Sequence, residues 1–521
     1  MDVISYRFLE LMLATVLLYF IVPRKYQWCV ILCGSMYFYA SSGVKNTAFI
    51  VVTTLVSYFC ALKISDLNRE KKEKAKTVSS EEKKTINKEY NANMKMLLWM
   101  GIIFCVGTWV VLKYTNFIIA NINAIFNGNI SIANWIVPLG ISFFTFHEVG
   151  YMIDIYRGRY EAERNFFKYL TFVAFFGHIV QGPFSRYNIT GQSITEEHSF
   201  SYDRLTEGLS RILWGVFKKT VVADKLGISV ATVFASYKDY SGTYLLFAIL
   251  AYSIQIYADF SGYMDIMCGI CHVLGIKLEE NFRQPYFAKS VDEFWRRWHI
   301  TLGAWFKDYV FYPLSIGKTG QKIGKWARGK FGTRVGKLMP GYFAMIFVWG
   351  ATGLWHGANW TFLVWGYLNL TVIVFSMQME PVYNKLKENL HINSDSVLWK
   401  LFSMVRTFFL VSFFRFFSTA SSLHTALSMI KRFIIKFNFK DFLKPLDFMV
   451  NLTLPEIIFC AIGILFIIVV DVLCEKEKFE ACKTKCPMLV RDLIYTCLII
   501  AILLVAGGDN DLIKGFMYEQ F

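Results

Sequence analysis

Apolar residues fall in long runs separated by short polar or basic stretches, a pattern longer than an amphipathic helix or an alternating strand produces. Runs fit to cross or enter a bilayer, where a plain helix needs about 17 to 25 residues, cover roughly 8–22, 28–44, 46–62, 96–113, 132–153, 166–183, 205–236, 243–274, 292–315, 340–378, 400–420, 455–473 and 488–507. Several are too short or too interrupted for plain spans. The pattern therefore predicts an all-α polytopic membrane protein, one domain over 1–521, with about eleven transmembrane helices and re-entrant segments. The first run, from Phe8 to Val22, lacks a basic leader and a small-residue cleavage site, so it reads as a retained span.

The polar stretches set the orientation. Arg24 and Lys25, the Lys/Glu-rich segment 63–95, and Arg157, Arg159 and Arg164 alternate with less charged connections such as 114–131. That fits the positive-inside rule with the N-terminus outside. Segment 63–95 reads as a charged, partly helical cytoplasmic loop. Segment 316–338 reads as a basic cytoplasmic loop, since Lys318, Lys322, Lys325, Arg328, Lys330, Arg334 and Lys337 occur there without an acid. It suits anionic headgroups, an acidic carrier protein or the phosphates of coenzyme A. Residues 440–521 read as a C-terminal helical extension.

Composition confirms lipid as the main solvent, with 55% hydrophobic and 18% charged residues among 521. Aromatics at 17% exceed the needs of interfacial belts, so many pack between helices or line a cavity. The net charge of +16 lies between the apolar runs, which argues for topology and against nucleic-acid binding. Most of the eleven cysteines sit in apolar runs and read as small hydrophobes. Cys268-Gly269-Ile270-Cys271-His272 has the spacing of c-type haem attachment, but its apolar helical setting argues against haem. No fixed-period repeat is visible, which counts against a transporter built on inverted repeats.

The candidate chemistry centres on Leu354-Trp355-His356-Gly357-Ala358-Asn359-Trp360. An ionisable side chain inside a membrane is costly and is a functional candidate by default. A second stretch, Phe294-Trp295-Arg296-Arg297-Trp298-His299, would gather two indoles and an imidazole around one end of a helix. A helix-capping role accounts for His299 equally well. Two histidines at one cavity suit acyl transfer, because a neutral imidazole can take a proton from a hydroxyl as it attacks a thioester. No His-Glu-x-x-His or Gly-x-Ser-x-Gly pattern supports a metalloprotease or a serine hydrolase. Asp259 and Asp265, in an apolar run, need partners, and Arg283, Arg296 and Arg297 are available. His147 and His178 also lie in apolar surroundings and read either as tunnel-lining or as packed, hydrogen-bonded groups.

Together with Pro138-Leu139-Gly140-Ile141-Ser142, Gln181-Gly182-Pro183, Tyr257-Ala258-Asp259-Phe260-Ser261-Gly262-Tyr263 and Asn281-Phe282-Arg283-Gln284-Pro285-Tyr286, these stretches resemble the membrane-bound O-acyltransferases, in particular the bacterial polysaccharide-modifying branch. The resemblance implies a ring of helices around a tunnel, with His356 catalytic and His299 at a second conserved polar position. It makes Trp298, Trp355 and Asn359 tunnel candidates from the histidine stretches, and Asp259, Ser261, Asn281, Arg283 and His178 candidates from the other motifs. The implied donor is a cytoplasmic thioester, acetyl-CoA or an acyl carrier protein, acting as co-substrate with no bound cofactor or metal. The implied acceptor is an extracellular or cell-wall polysaccharide, reached directly or through an extracytoplasmic acetyltransferase partner, at the bacterial plasma membrane. The chain's end, Phe516-Met517-Tyr518-Glu519-Gln520-Phe521, and its last two spans resemble the longer alginate-type members, which favours acetyl over D-alanyl transfer to teichoic acid. From other classes, a polysaccharide transporter would move substrate without covalent change. An export scaffold would tolerate loss of both histidines.

Overall fold

The computed structural model describes residues 3–135 and 137–506. Among them the secondary structure is helical, apart from one antiparallel bridge between Phe282 and Trp298. Among the described residues, eight helices are long and apolar enough to cross a membrane, which makes this an integral membrane protein. The count is below the expected eleven because Tyr6–Ile21, Gln27–Ala40 and Ile141–Tyr156 have only 16, 14 and 16 residues. A helix needs about 20 residues to cross the hydrocarbon core.

The chain packs as two compact units, 1–211 with 267–279, and 212–266 with 280–521. In the first, the helices Val44–Lys74 and Ser80–Phe126 make a long hairpin that absorbs most of segment 63–95. Its turn ends at Ser79, which accepts from the Glu82 N–H while Glu82 accepts from the Ser79 N–H. This reciprocal cap uses up two of the unpaired donors at the helix start. Deeper in this unit, Thr53 and Thr54 donate to the buried Glu148 carboxyl at 2.9 and 3.0 Å.

In the second unit, Lys318–His356 and Trp360–Asn389 form an antiparallel pair joined by three residues. The segment expected as a basic loop, 316–338, is thus mostly helical, a first helix that meets a second at Gly332, where φ is 85°, and packs back against it, a Cβ on Gly336 lying 2.5 Å from the Arg328 Cβ. The pair packs closely because glycines face it. A Cβ on Gly366 would lie 2.6 Å from the Trp349 carbonyl oxygen, and one on Gly353 would lie 2.6 Å from that of Phe362. The run 292–315 does not form a span. It breaks into Val291–Arg297, Ile300–Phe306, the π-helical Lys307–Phe311 and Tyr312–Ile316. The C-terminal extension contains Leu454–Glu475, Phe479–Lys485 and Met488–Ala506, while the Phe516–Phe521 stretch lies outside the described residues.

Candidate active site

His299 occupies the break between two short helices, with φ 48° and ψ 53°. A non-glycine residue pays for such a left-handed conformation, so its setting must hold it there. Asn281 supplies that hold. Its side-chain oxygen accepts from the Thr301 N–H at 3.2 Å and from the Thr301 hydroxyl at 2.7 Å, and its backbone carbonyl accepts from the Ile300 N–H at 3.0 Å. Because a backbone N–H only donates, that side-chain atom is the oxygen. The His299 Nδ1 at 3.1 Å must then carry the proton. The lone pair of the neutral ring is thereby assigned to Nε2.

One indole joins the two histidines. The Trp355 ring lies 5.8 Å from the His299 ring and 4.7 Å from the His356 ring, both edge-on. Phe260 meets the other side of His299 at 4.9 Å. His356 ends its helix and packs edge-on against Trp365 at 5.0 Å and parallel to Phe362 at 6.1 Å. Gly357 is required next to it, since a Cβ there would lie 2.4 Å from the Phe362 ring. His299 lies outside the membrane-crossing helices and is 3% exposed. Burial chiefly, and the neighbouring His356 secondly, hold its pKa well below the usual histidine value. The ring is neutral at neutral pH, and a proton on one imidazole opposes a proton on the other.

His356 faces a small cavity of about 30 Å³ walled by Tyr252, Trp295, Trp298, Trp365 and Arg415. Trp295 is fixed by its ring N–H, which donates to the Asn369 side-chain oxygen at 3.0 Å, while Asn369 donates to the Trp365 carbonyl at 2.8 Å. A far larger basin of about 1010 Å³ is lined by Lys238, Asp239, His424, Lys431, Arg432 and Lys436, among others. The two share the end of the Val397–Thr419 helix, with Ser418 on the cavity and Thr419 to Ser421 on the basin. Asn359 caps the Trp360–Asn389 helix by accepting from the Thr361 N–H at 3.0 Å, and donates to the Ser421 carbonyl at 2.9 Å. Its place is at the rim, tying the His356 turn to the basin wall.

Trp298 and Asn281 belong to this cluster, but other candidates take different places. Asp259 is buried against Lys219 at 2.8 Å, and Lys219 also reaches Asp224 at 2.8 Å. Lys218 pairs with Asp265 at 2.5 Å and donates to the Ser261 hydroxyl at 2.8 Å. The expected arginine partners are engaged elsewhere. Arg296 bonds Asp292, and Arg297 reaches Glu293 at 2.8 Å and Glu475 at 2.6 Å. Arg283 is exposed, because the bridge that turns Phe282 inward alternates its neighbour outward. His178 belongs to the first unit, fully buried, its ring 4.0 Å from that of His147, with Nε2 on the Phe172 carbonyl at 2.7 Å. In the haem-like pentapeptide, Cys268 and Cys271 are buried free thiols, and His272 bonds Glu207 at 3.0 Å. Sequence reasoning missed Lys218, Lys219, Asn369 and Arg415, each an ionisable or amide group within an apolar run.

Known proteins place these features. The membrane-bound O-acyltransferase family model matches residues 31–327, more than half of the chain, a stretch that includes His299 and ends before His356. A probable alginate O-acetylase of Azotobacter vinelandii is 32% identical over 370 residues, covering 70% of this chain and 66% of that protein. A peptidoglycan O-acetyltransferase of Helicobacter pylori is 29% identical over 431 residues, 78% of this chain and 72% of that protein. A teichoic acid D-alanyltransferase of Bacillus subtilis is 29% identical over 241 residues, 45% of this chain and 57% of that protein. The chain spans slightly less than two thirds of the length of the alginate O-acetylases it matches. The chain belongs to the membrane-bound O-acyltransferase family.

Proposed function

We propose that this protein is an O-acetyltransferase of the bacterial plasma membrane, moving an acetyl group from a cytoplasmic thioester, acetyl-CoA or an acyl carrier protein, to a hydroxyl of an extracellular or cell-wall saccharide. Delivery runs directly or through an extracytoplasmic acetyltransferase partner. The observation that carries the reading is the pair of imidazoles joined by Trp355, with the His299 proton fixed on Nδ1 by Asn281. In the step, His356 takes the proton of the acceptor hydroxyl as its oxygen bonds to the thioester carbonyl carbon. The carbon–sulfur bond then breaks, and the leaving thiolate receives that proton from the imidazolium. His299, held neutral, keeps the pair at a single proton and orients its partner.

The cavity beside His356 favours acetyl over D-alanyl. At about 30 Å³ it offers little more than the room of a water or two, too small for a long acyl chain. The one permanently charged side chain in its lining is Arg415, which an acetyl group tolerates and an alanyl ammonium opposes. The basin suits the acceptor, since it opens beside the His356 turn and is lined by hydroxyls and cations.

The test is His356→Ala. General-base catalysis is worth about 10²–10⁴-fold, so acetylation of the envelope saccharide, read by mass spectrometry, should fall at least a hundredfold while the protein still inserts in the membrane. Acetylation retained by an inserted His356→Ala protein sinks the reading.

A further inference from the structure

A buried cation without a carboxylate is expensive, and Arg415 is one. It is 7% exposed, and no ion pair to it is found among the described residues. The buried acids of the same unit have other partners, Asp259 in Lys219, Asp265 in Lys218, and Asp471 in the Tyr257 hydroxyl at 2.9 Å. Its compensation is aromatic. The guanidinium carbon lies 5.0 Å from the Trp298 ring centroid and 5.9 Å from that of Tyr252, a stabilisation of the cation's face; at its edge one donor engages the Tyr286 hydroxyl, while Nε is buried without a partner. The turn that carries it is pinned, since the Ser418 and Thr419 hydroxyls donate to the Arg415 carbonyl at 3.1 and 3.0 Å. The side chain lines the same small cavity as His356. Among the described residues no carboxylate pairs with it, and its Nε is buried without a hydrogen-bond partner.

We propose that Arg415 is a further catalytic group, donating to the carbonyl oxygen of the acetyl group while negative charge gathers there. This rests on the acyl-transfer reading given above. As the acceptor oxygen bonds to the carbonyl carbon, the C=O π pair moves onto oxygen, and the guanidinium N–H groups bind the resulting oxyanion. When that pair returns, the C=O re-forms and the thiolate leaves with the proton from His356. A fixed donor in a dry cavity acts most strongly on charge that exists only in the transition state.

The experiment compares full-length wild-type, Arg415→Met, Arg415→Lys and His356→Ala proteins in membranes, with acetyl-CoA as the donor probe and acetylated saccharide as product. Arg415→Met should lower kcat by about 10²–10³-fold and leave the KM for acetyl-CoA within about threefold. Arg415→Lys, which keeps the charge but loses the planar fork, should fall between. Arg415→Met within about threefold of wild-type kcat, or a loss carried by KM alone, overturns the proposal. If Arg415→Met does not reach the membrane, Arg415→Lys decides by the same split between kcat and KM. If wild type and His356→Ala are equally inactive or equally active, it is the acyl-transfer reading that fails.

Discussion

At the scale of single residues, the histidines were legible because each breaks the apolar pattern around it and carries a titratable ring. The same argument reaches Arg415, which stands in Phe413-Phe414-Arg415-Phe416-Phe417 as plainly as His356 stands among tryptophans. What the sequence withheld was the pairing. Asn281 fixes the tautomer of His299 from 18 positions away, and no local pattern reports that contact. It makes a charge test possible. Asn281→Asp would set an anion beside Nδ1 and raise the pKa of His299, reversing the direction set by burial. Activity needs a neutral His299, so in wild type the acidic limb of the pH–rate profile that its protonation sets should fall below about pH 6.5, the usual histidine value. In Asn281→Asp that limb should move upward by about one unit or more, the effect of an opposite charge at hydrogen-bond distance. An unmoved limb in an active variant would detach His299 from the proton balance.

Helices show where pattern reading succeeds and where it stops. Long apolar runs such as 46–62, 96–113 and 455–473 lie within crossing helices, as does 400–420 but for its last residue. The run 292–315 does not, because hydropathy is blind to backbone dihedrals and the chain leaves the helix at Trp298 and His299. A comparable irregularity supplies the partners of the buried acids. Between Tyr202–Phe217 and Asp224–Ala235 the helix widens to a π turn over Lys218–Ala223, where Lys218 and Lys219 are both buried, each against an acid. Two adjacent lysines inside an apolar run were themselves a signal, since neither is tolerated there without an anion. Removing one member of such a group leaves buried charge uncompensated, typically at about 3–5 kcal/mol. Lys219→Met should therefore lower the thermal midpoint in detergent and the amount of inserted protein, because both Asp259 and Asp224 lose the ammonium they share. A variant as stable as wild type would show that the acids are solvated or paired otherwise.

For the molecule as a whole, charge and topology disagree beside the basin, which fits the proposed acceptor route. Lys318–His356 is two helices meeting at Gly332, of which the second runs from the basic segment to His356; Trp360–Asn389 runs back, and Val397–Thr419 runs forward again. Residues after Thr419 therefore lie on the side opposite the basic segment, where the positive-inside rule expects few cations. Yet 424–444 carries Lys431, Arg432, Lys436, Lys440 and Lys444. Arg432 is explained by structure, since it donates to the Tyr240 carbonyl at 2.6 Å. Lys431 and Lys436 line the basin, and their retention there fits an acceptor that carries negative charge. Reversing both, Lys431→Glu with Lys436→Glu, should reduce acetylation of such an acceptor by roughly tenfold at low salt, a loss of about 0.5–1 kcal/mol for each exposed pair. The KM for the thioester should not move, because the basin does not include His356 or Arg415. The gap between variant and wild type should narrow as ionic strength rises and the Debye length contracts from about 10 Å at 0.1 M to about 3 Å at 1 M. Equal acetylation by the two proteins across that salt range would mean the acceptor reaches His356 by another route.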